Sequence, residues 1–138
     1  MTRYPFRSLL VAAALGLAST AAQATTPPAL YTASQAASGQ TLFATNCSMC
    51  HGAALQGISG PALIGQSFAS AANNYTVAAI FDELSQQMPA GNPGSLSKSD
   101  YTDIMAFILS KNGYPAGSTA LTYDGAQSST VKLVSQVK

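Results

Sequence analysis

The chain has 138 residues and carries six basic against five acidic side chains, a formal net charge of +1. This length suits one small domain. Only 8% of the residues are charged, and no stretch is rich in Lys or Arg, which argues against nucleic acid as a partner.

The N-terminus has the features of a secretory signal peptide. Arg3 and Arg7 precede an apolar run over residues 9–18, and a small-x-small cleavage site follows at residues 22–24. The alternative is a membrane anchor, but the apolar run is too short to cross about 30 Å of hydrocarbon. We therefore predict that residues 1–24 are removed, and that the mature protein is periplasmic and has no membrane span.

A first helix is predicted from about Ser34 to Thr45. Thr32 and Gln35 have the spacing of a capping box, which would place the start slightly earlier. Residues 52–74 are rich in Gly, Ala, Ser and Asn, and they predict a long irregular loop with one short turn. A loop of this length in a small domain is usually functional or wraps around something.

Two further helices are predicted after this loop. Residues 76–87 carry apolar side chains at i, i+3, i+4 and i+7, and Pro89 disfavours helical geometry at Met88. The last helix begins after Ser97, which has an acidic capping partner three residues on, and it ends at Asn112. Its apolar stripe consists of Tyr101, Ile104, Met105 and Ile108.

The segment Cys47-Ser48-Met49-Cys50-His51 is a C-x-x-C-H motif. Two thiols at this spacing can add to the two vinyl groups of one haem, and the adjacent His is placed to bind the iron, so the motif predicts c-type haem attachment. The alternatives are a zinc site, a thioredoxin-like dithiol and a structural disulfide. Zinc would lack ligands, because the chain has one His and two Cys. A dithiol belongs near a βαβ pattern, which we do not find, and a disulfide would leave His51 unexplained.

A second iron ligand should approach from the other haem face, and Met paired with His raises the reduction potential. The mature chain offers Met49, Met88 and Met105. Met49 lies inside the attachment loop and cannot easily reach the opposite face, whereas Met105 lies on the apolar stripe and is predicted to be core. Met88 lies at the end of a helix, before a Pro-containing loop, and this position suits a side chain that binds the iron. The alternative is that Met88 also fills the core.

The loop after the motif offers a partner for the second ring nitrogen of His51. Ligating histidines usually donate this N–H to a carbonyl or carboxylate. The carbonyl of Pro61 is a candidate acceptor, although the spacing alone is equally consistent with a simple turn at Gly60-Pro61.

With these motifs, residues 31–121 resemble the class I bacterial cytochromes c. The matching positions are Gly39, Phe43, Gly60-Pro61-Ala62-Leu63, Met88-Pro89, Tyr101 and Ala106-Phe107-Ile108-Leu109. The resemblance implies an all-α fold with three main helices and long loops around one haem, in which the last helix crosses the first at Gly39. It also implies that His51 and Met88 are the axial ligands, and that the carbonyl of Pro61 accepts the His51 N–H.

Residues 88–97 and 108–117 are similar to the cytochrome domains that accompany quinoprotein alcohol dehydrogenases. This similarity implies such a dehydrogenase as electron donor, with an oxidase or another cytochrome as acceptor. We expect one-electron transfer and no enzymatic catalysis, since the adjacent acids Asp82 and Glu83 do not face each other on a helix. The alternatives are a haem enzyme or gas-binding sensor with an open iron position, and a fixed cytochrome subunit of a dehydrogenase complex.

The expected organisation is a signal peptide at residues 1–24, a monohaem cytochrome c domain at 25–116 and a C-terminal extension at 117–138. Apolar and polar side chains alternate only loosely over residues 131–138, and this pattern predicts either an edge strand or a mobile tail. The mature part contains no arginine. Backbone N–H, hydroxyl, amide or lysine groups would therefore have to bind the haem propionates.

Overall fold

The computed structural model describes Met1 and residues 26–138, so the predicted signal peptide beyond Met1 and its cleavage site lie outside the described residues. The α-helices in this part of the chain are α1 (Ala33–Asn46), α2 (Ser48–His51), α3 (Val77–Gln87), α4 (Lys98–Lys111) and α5 (Tyr123–Gln127). One 3-10 turn, Ala71–Asn73, interrupts the long loop. The predicted all-α fold with three main helices is confirmed. No helix among the described residues is long and apolar enough to cross a membrane.

The three main helices begin at the polar caps that the sequence predicts. Thr32 and Gln35 form a reciprocal capping box at α1, with N···O distances of 3.4 and 3.3 Å. Ser97 and Asp100 form the equivalent box at α4, and the Thr76 side chain caps α3 from outside the helix. Each cap provides an acceptor for N–H groups that have no partner inside the helix.

Helices α1 and α4 form the most extensive helix pair of the fold, and they cross at Gly39. A Cβ atom added at Gly39 would overlap the carbonyl group of Asp103. The crossing therefore requires a residue without a side chain, as the resemblance implied. One turn further along α1, the buried Phe43 ring packs against Phe107 with 5.3 Å between the ring centroids.

Helix α4 is the centre of the hydrophobic core. The predicted stripe is buried, and so are Ala106, Phe107 and Leu109, which lie outside it. The buried surface is wider than one stripe because α1, α3 and α5 all contact α4. A helix enclosed in this way is apolar around most of its circumference.

The C-terminal extension packs against the helical domain, so it is not the mobile tail that was one alternative, and of the predicted edge strand only one antiparallel bridge forms, between Thr76 and Lys132. Leu133 and Ser135 are buried. Three backbone N–H groups donate to loop carbonyls: Leu133 to Tyr75, Ser135 to Ala69 and Gln136 to Asn112, at 3.0, 2.8 and 2.9 Å. These acceptors belong to irregular segments, so the extension has no regular alternation of apolar and polar residues. Its packing therefore could not be predicted from the sequence.

We expect Gly39→Ala to lower the free energy of unfolding by about 1–3 kcal/mol, the usual cost of overpacking, because the new methyl group would overlap the Asp103 carbonyl. Gly91→Ala is the matched control, since no atom lies within 4 Å of a Cβ at that position. Urea denaturation of both variants measures the difference. Equal losses of stability would contradict the close crossing.

Candidate functional site

All five site residues that the sequence predicts line one cavity: Cys47, Cys50, His51, Pro61 and Met88. The cavity has a volume of about 470 Å³, within the range of cofactor sites. Its apolar lining includes Phe43, Leu63, Phe68, Ile80, Leu84, Ile104 and Ile108. The five predicted residues come from the α1–α2 junction, the long loop and the end of α3, so it is the fold that brings them together.

The two cysteines and the histidine lie on one tight turn. Cys47 ends α1 and begins α2, and its carbonyl accepts the N–H groups of Cys50 and His51 at 3.2 and 3.0 Å. Both cysteines are free thiols. Burial, reinforced by the neighbouring Cys50, raises the pKa of Cys47 to about 11, so a free Cys47 thiol stays protonated at neutral pH.

The His51 ring is oriented by the loop that follows it. The ring is only 8% exposed, and its Nδ1 lies 2.8 Å from the carbonyl oxygen of Pro61. A carbonyl only accepts, so Nδ1 carries the proton and Nε2 is left with a free lone pair. Gly60 packs against the same ring, since a Cβ there would lie 2.9 Å from Cε1. The Gly60-Pro61 segment is thus more than a simple turn.

Of the methionines in residues 26–138, only Met88 lines the cavity. It ends α3 with an extended backbone, φ −115° and ψ 154°, as expected for a residue before proline. Met105 is fully buried away from the cavity, and Met49 is 87% exposed.

The cavity has very little charge. Glu83 is the one acidic residue in its lining, and among the described residues no Lys or Arg reaches it. The sequence from Thr26 to Phe81 contains no Asp, Glu, Lys or Arg at all. Three hydroxyl-bearing side chains in the lining make no hydrogen bond within residues 26–138: Ser59, Ser67 and Tyr75. A largely apolar cavity with uncommitted hydroxyls, one available imidazole nitrogen and two free thiols fits a haem.

No group of three or more His, Cys, Asp or Glu within the described part of the chain is placed to hold a metal ion. A structural zinc ion needs about four such ligands. The donor set of Cys47, Cys50 and His51 therefore fits the haem alternative better than the zinc alternative.

For two polar residues outside the cavity lining, the sequence did not predict the hydrogen bonds that reach the loops of the site. Tyr101 was assigned to the apolar stripe, but its hydroxyl donates to the Met88 carbonyl at 2.7 Å. Asn112 was assigned to the helix end, but its side chain bonds the Leu63 carbonyl and the Gly65 N–H at 2.9 and 3.1 Å. A buried polar group needs a hydrogen-bond partner, so a polar residue among apolar ones indicates that such a partner exists. The sequence does not say where that partner lies.

Comparison with known families now defines the class of protein. The family described as cytochrome C oxidase, cbb3-type, subunit III matches residues 34–108, just over half of the chain. The chain belongs to this cytochrome c family. Membership implies haem c and electron transfer, and it confirms the class that the C-x-x-C-H motif and the resemblance predicted.

A solved structure provides a more particular likeness. A chain in the crystal structure of the sulfane dehydrogenase SoxCD from Paracoccus pantotrophus is 29% identical, with a TM-score of 0.54. The match covers 67% of this chain and 50% of that chain, so the present chain spans about half the length of that relative. No curated protein matches the sequence.

Proposed function

We propose that the protein is a periplasmic one-electron carrier with one covalently bound haem c. The observation that carries the proposal is the convergence of Cys47, Cys50, His51 and Met88 on one apolar cavity. The bound haem supplies a redox-active iron, and the protein sets its potential through ligand choice and burial.

Each residue of the turn has a separate role in this proposal. The Cys47 and Cys50 thiols would hold the haem covalently, each by addition of its S–H across one vinyl group, with no electrons gained or lost. His51 would bind the iron through Nε2, because its Nδ1–H is donated to Pro61. This hydrogen bond fixes the ring orientation and increases the basicity of the ligating nitrogen.

The Met88 thioether would be the second iron ligand, and neutral groups would bind the propionates. The free hydroxyls of Ser59, Ser67 and Tyr75 are the donors available in the lining. Without a cationic partner, carboxylates are stabilised by hydrogen bonds alone.

A dehydrogenase is the proposed electron donor, and an oxidase or another cytochrome is the proposed acceptor. The resemblance of residues 88–97 to quinoprotein-associated cytochromes favours a quinoprotein dehydrogenase as donor. The likeness to a chain of SoxCD, itself a dehydrogenase, supports this general class. It also favours a second candidate, a fixed cytochrome subunit of a dehydrogenase complex. Co-purification of a stoichiometric dehydrogenase chain from the native source would select the second candidate.

The surface beside the attachment turn is apolar and uncharged. Met49 and Ile58 are 87% and 69% exposed. The Ile58 N–H donates to the Cys50 carbonyl at 2.9 Å, so Ile58 lies next to the attachment turn that carries Met49. This surface suits a partner that docks through apolar contact, without electrostatic steering.

Covalent attachment predicts that haem stays with the denatured protein through acid-acetone extraction and gives a c-type pyridine haemochrome. Cys47→Ala should retain haem through one thioether only, and the double variant with Cys50→Ala should release all of it. Wild-type protein from which haem extracts freely would contradict the proposal.

Met88→Ala should lower the reduction potential and open the iron to cyanide or carbon monoxide, because the thioether favours ferrous iron. Met105→Ala is the control, and we expect it to cost about 2–5 kcal/mol of stability, as for a buried side chain, while Met ligation is retained. The methionine–iron charge-transfer band and a redox titration distinguish the two variants. Loss of the band in Met105→Ala alone would reverse the assignment.

Reduction by the purified dehydrogenase should depend weakly on ionic strength, because no concentrated field steers the encounter. Second-order rate constants across a salt series measure this dependence. A decrease of about tenfold over a modest rise in salt would instead indicate charge steering. The acidic side chains of α3 and α4 would then be the suspected contact.

A further inference from the structure

We propose that α4 and its C-terminal cap position both axial ligands, with Tyr101 holding the Met88 backbone and Asn112 holding the loop whose Pro61 carbonyl orients His51. This inference rests on the proposed function, because it takes His51 and Met88 as the iron ligands. It assigns a positioning role to two residues that do not belong to the attachment motif.

Tyr101 ties together the two ends of the distal loop. Its side chain is 3% exposed. Its hydroxyl donates to the Met88 carbonyl at 2.7 Å and accepts the Leu96 N–H at 3.4 Å. The other bond to the Met88 carbonyl comes from Gly94 within the same loop, at 3.3 Å. Tyr101 is therefore the side chain that connects the Met88 backbone to a helix of the core.

Asn112 performs the equivalent task on the proximal side. It is fully buried. Its Nδ2 donates to the Leu63 carbonyl at 2.9 Å, and its Oδ1 accepts the Gly65 N–H at 3.1 Å. Leu63 follows Pro61 by two residues, and the Pro61 carbonyl accepts the His51 Nδ1–H. The amide thus holds the short segment that orients the histidine.

A single rigid element connects these two anchors. Tyr101 and Asn112 are separated along α4 by roughly 16 Å at the helical rise per residue. The helix between them is buried and packs on α1. Because both loops are bonded to the same helix or its cap, moving the Met88 backbone or the segment after Pro61 would break a hydrogen bond to Tyr101 or Asn112. The protein thereby opposes loss of Met88 from the iron.

Tyr114 provides a matched control for Tyr101. It is 4% exposed, its hydroxyl donates to the Lys132 carbonyl at 2.8 Å, and it accepts the Val134 N–H at 3.0 Å. The chemistry is the same and neither tyrosine lines the cavity, but the partner of Tyr114 is the C-terminal extension and that of Tyr101 is Met88. Removing either hydroxyl should lower the free energy of unfolding by a similar amount. Only the Tyr101 hydroxyl, however, is bonded to the loop that begins at Met88.

The test compares Tyr101→Phe with Tyr114→Phe in the ferric holoprotein. Cyanide binding should be about fivefold to tenfold faster in Tyr101→Phe, the change expected for one lost hydrogen bond. Tyr114→Phe should bind cyanide at the wild-type rate, although both variants should unfold at similarly lowered urea concentrations. Equal cyanide rates in the two variants would overturn the role of Tyr101. A wild-type protein without covalent haem or without the methionine–iron band would instead overturn the proposed function.

The role of Asn112 has its own measurement, the hydrogen-exchange rate of the His51 Nδ1–H by NMR of the holoprotein. Asn112→Ser cannot reach both partners and should speed this exchange about tenfold. Thr102→Val is the control, since it removes a buried hydroxyl bonded within α4. Should Asn112→Ser fail to accumulate, Asn112→Asp loses the donation to Leu63 and gives the same readout. An unchanged exchange rate would overturn this half of the proposal.

Discussion

The close approach of α1 and α4 at Gly39 is the constraint on which the site depends. The backbone of α4 occupies the space that a side chain would need, so the two helices fit together in one way. Helix α1 ends at the cysteine turn, and α4 bonds the loops on both sides of the cavity. Fixing this crossing therefore fixes where Cys47, Cys50 and His51 lie relative to Met88.

The distribution of charge separates the part of the chain that surrounds the cofactor from the rest. No Asp, Glu, Lys or Arg occurs between Thr26 and Phe81, a stretch that supplies most of the cavity lining. Burying a charge beside a haem would require a partner, and this region avoids that cost. The same property leaves the surface around Met49 and Ile58 apolar, which links the composition of the pocket to the way a partner would dock.

Much of the fold and site was predictable because local chemistry determined it. The capping boxes, the apolar stripe of α4 and the break at Met88-Pro89 depend on neighbours within a few residues. The C-x-x-C-H motif works in the same way, because its spacing places two thiols and an imidazole on one turn. These features allowed the helices, the cofactor class, the three motif residues and Met88 to be named before any contact was known, whereas Pro61 was assigned only through the resemblance.

Only the tertiary structure decided which distant groups meet. Tyr101 and Asn112 were assigned as a core residue and a helix end, because their partners lie in loops whose positions no local pattern encodes. The extension was misjudged for the same reason, since Leu133 and Ser135 pair with carbonyls of irregular backbone. Local sequence determines which residues could bind a haem, whereas only the tertiary structure shows that Tyr101 and Asn112 form long-range hydrogen bonds with the loops beside them.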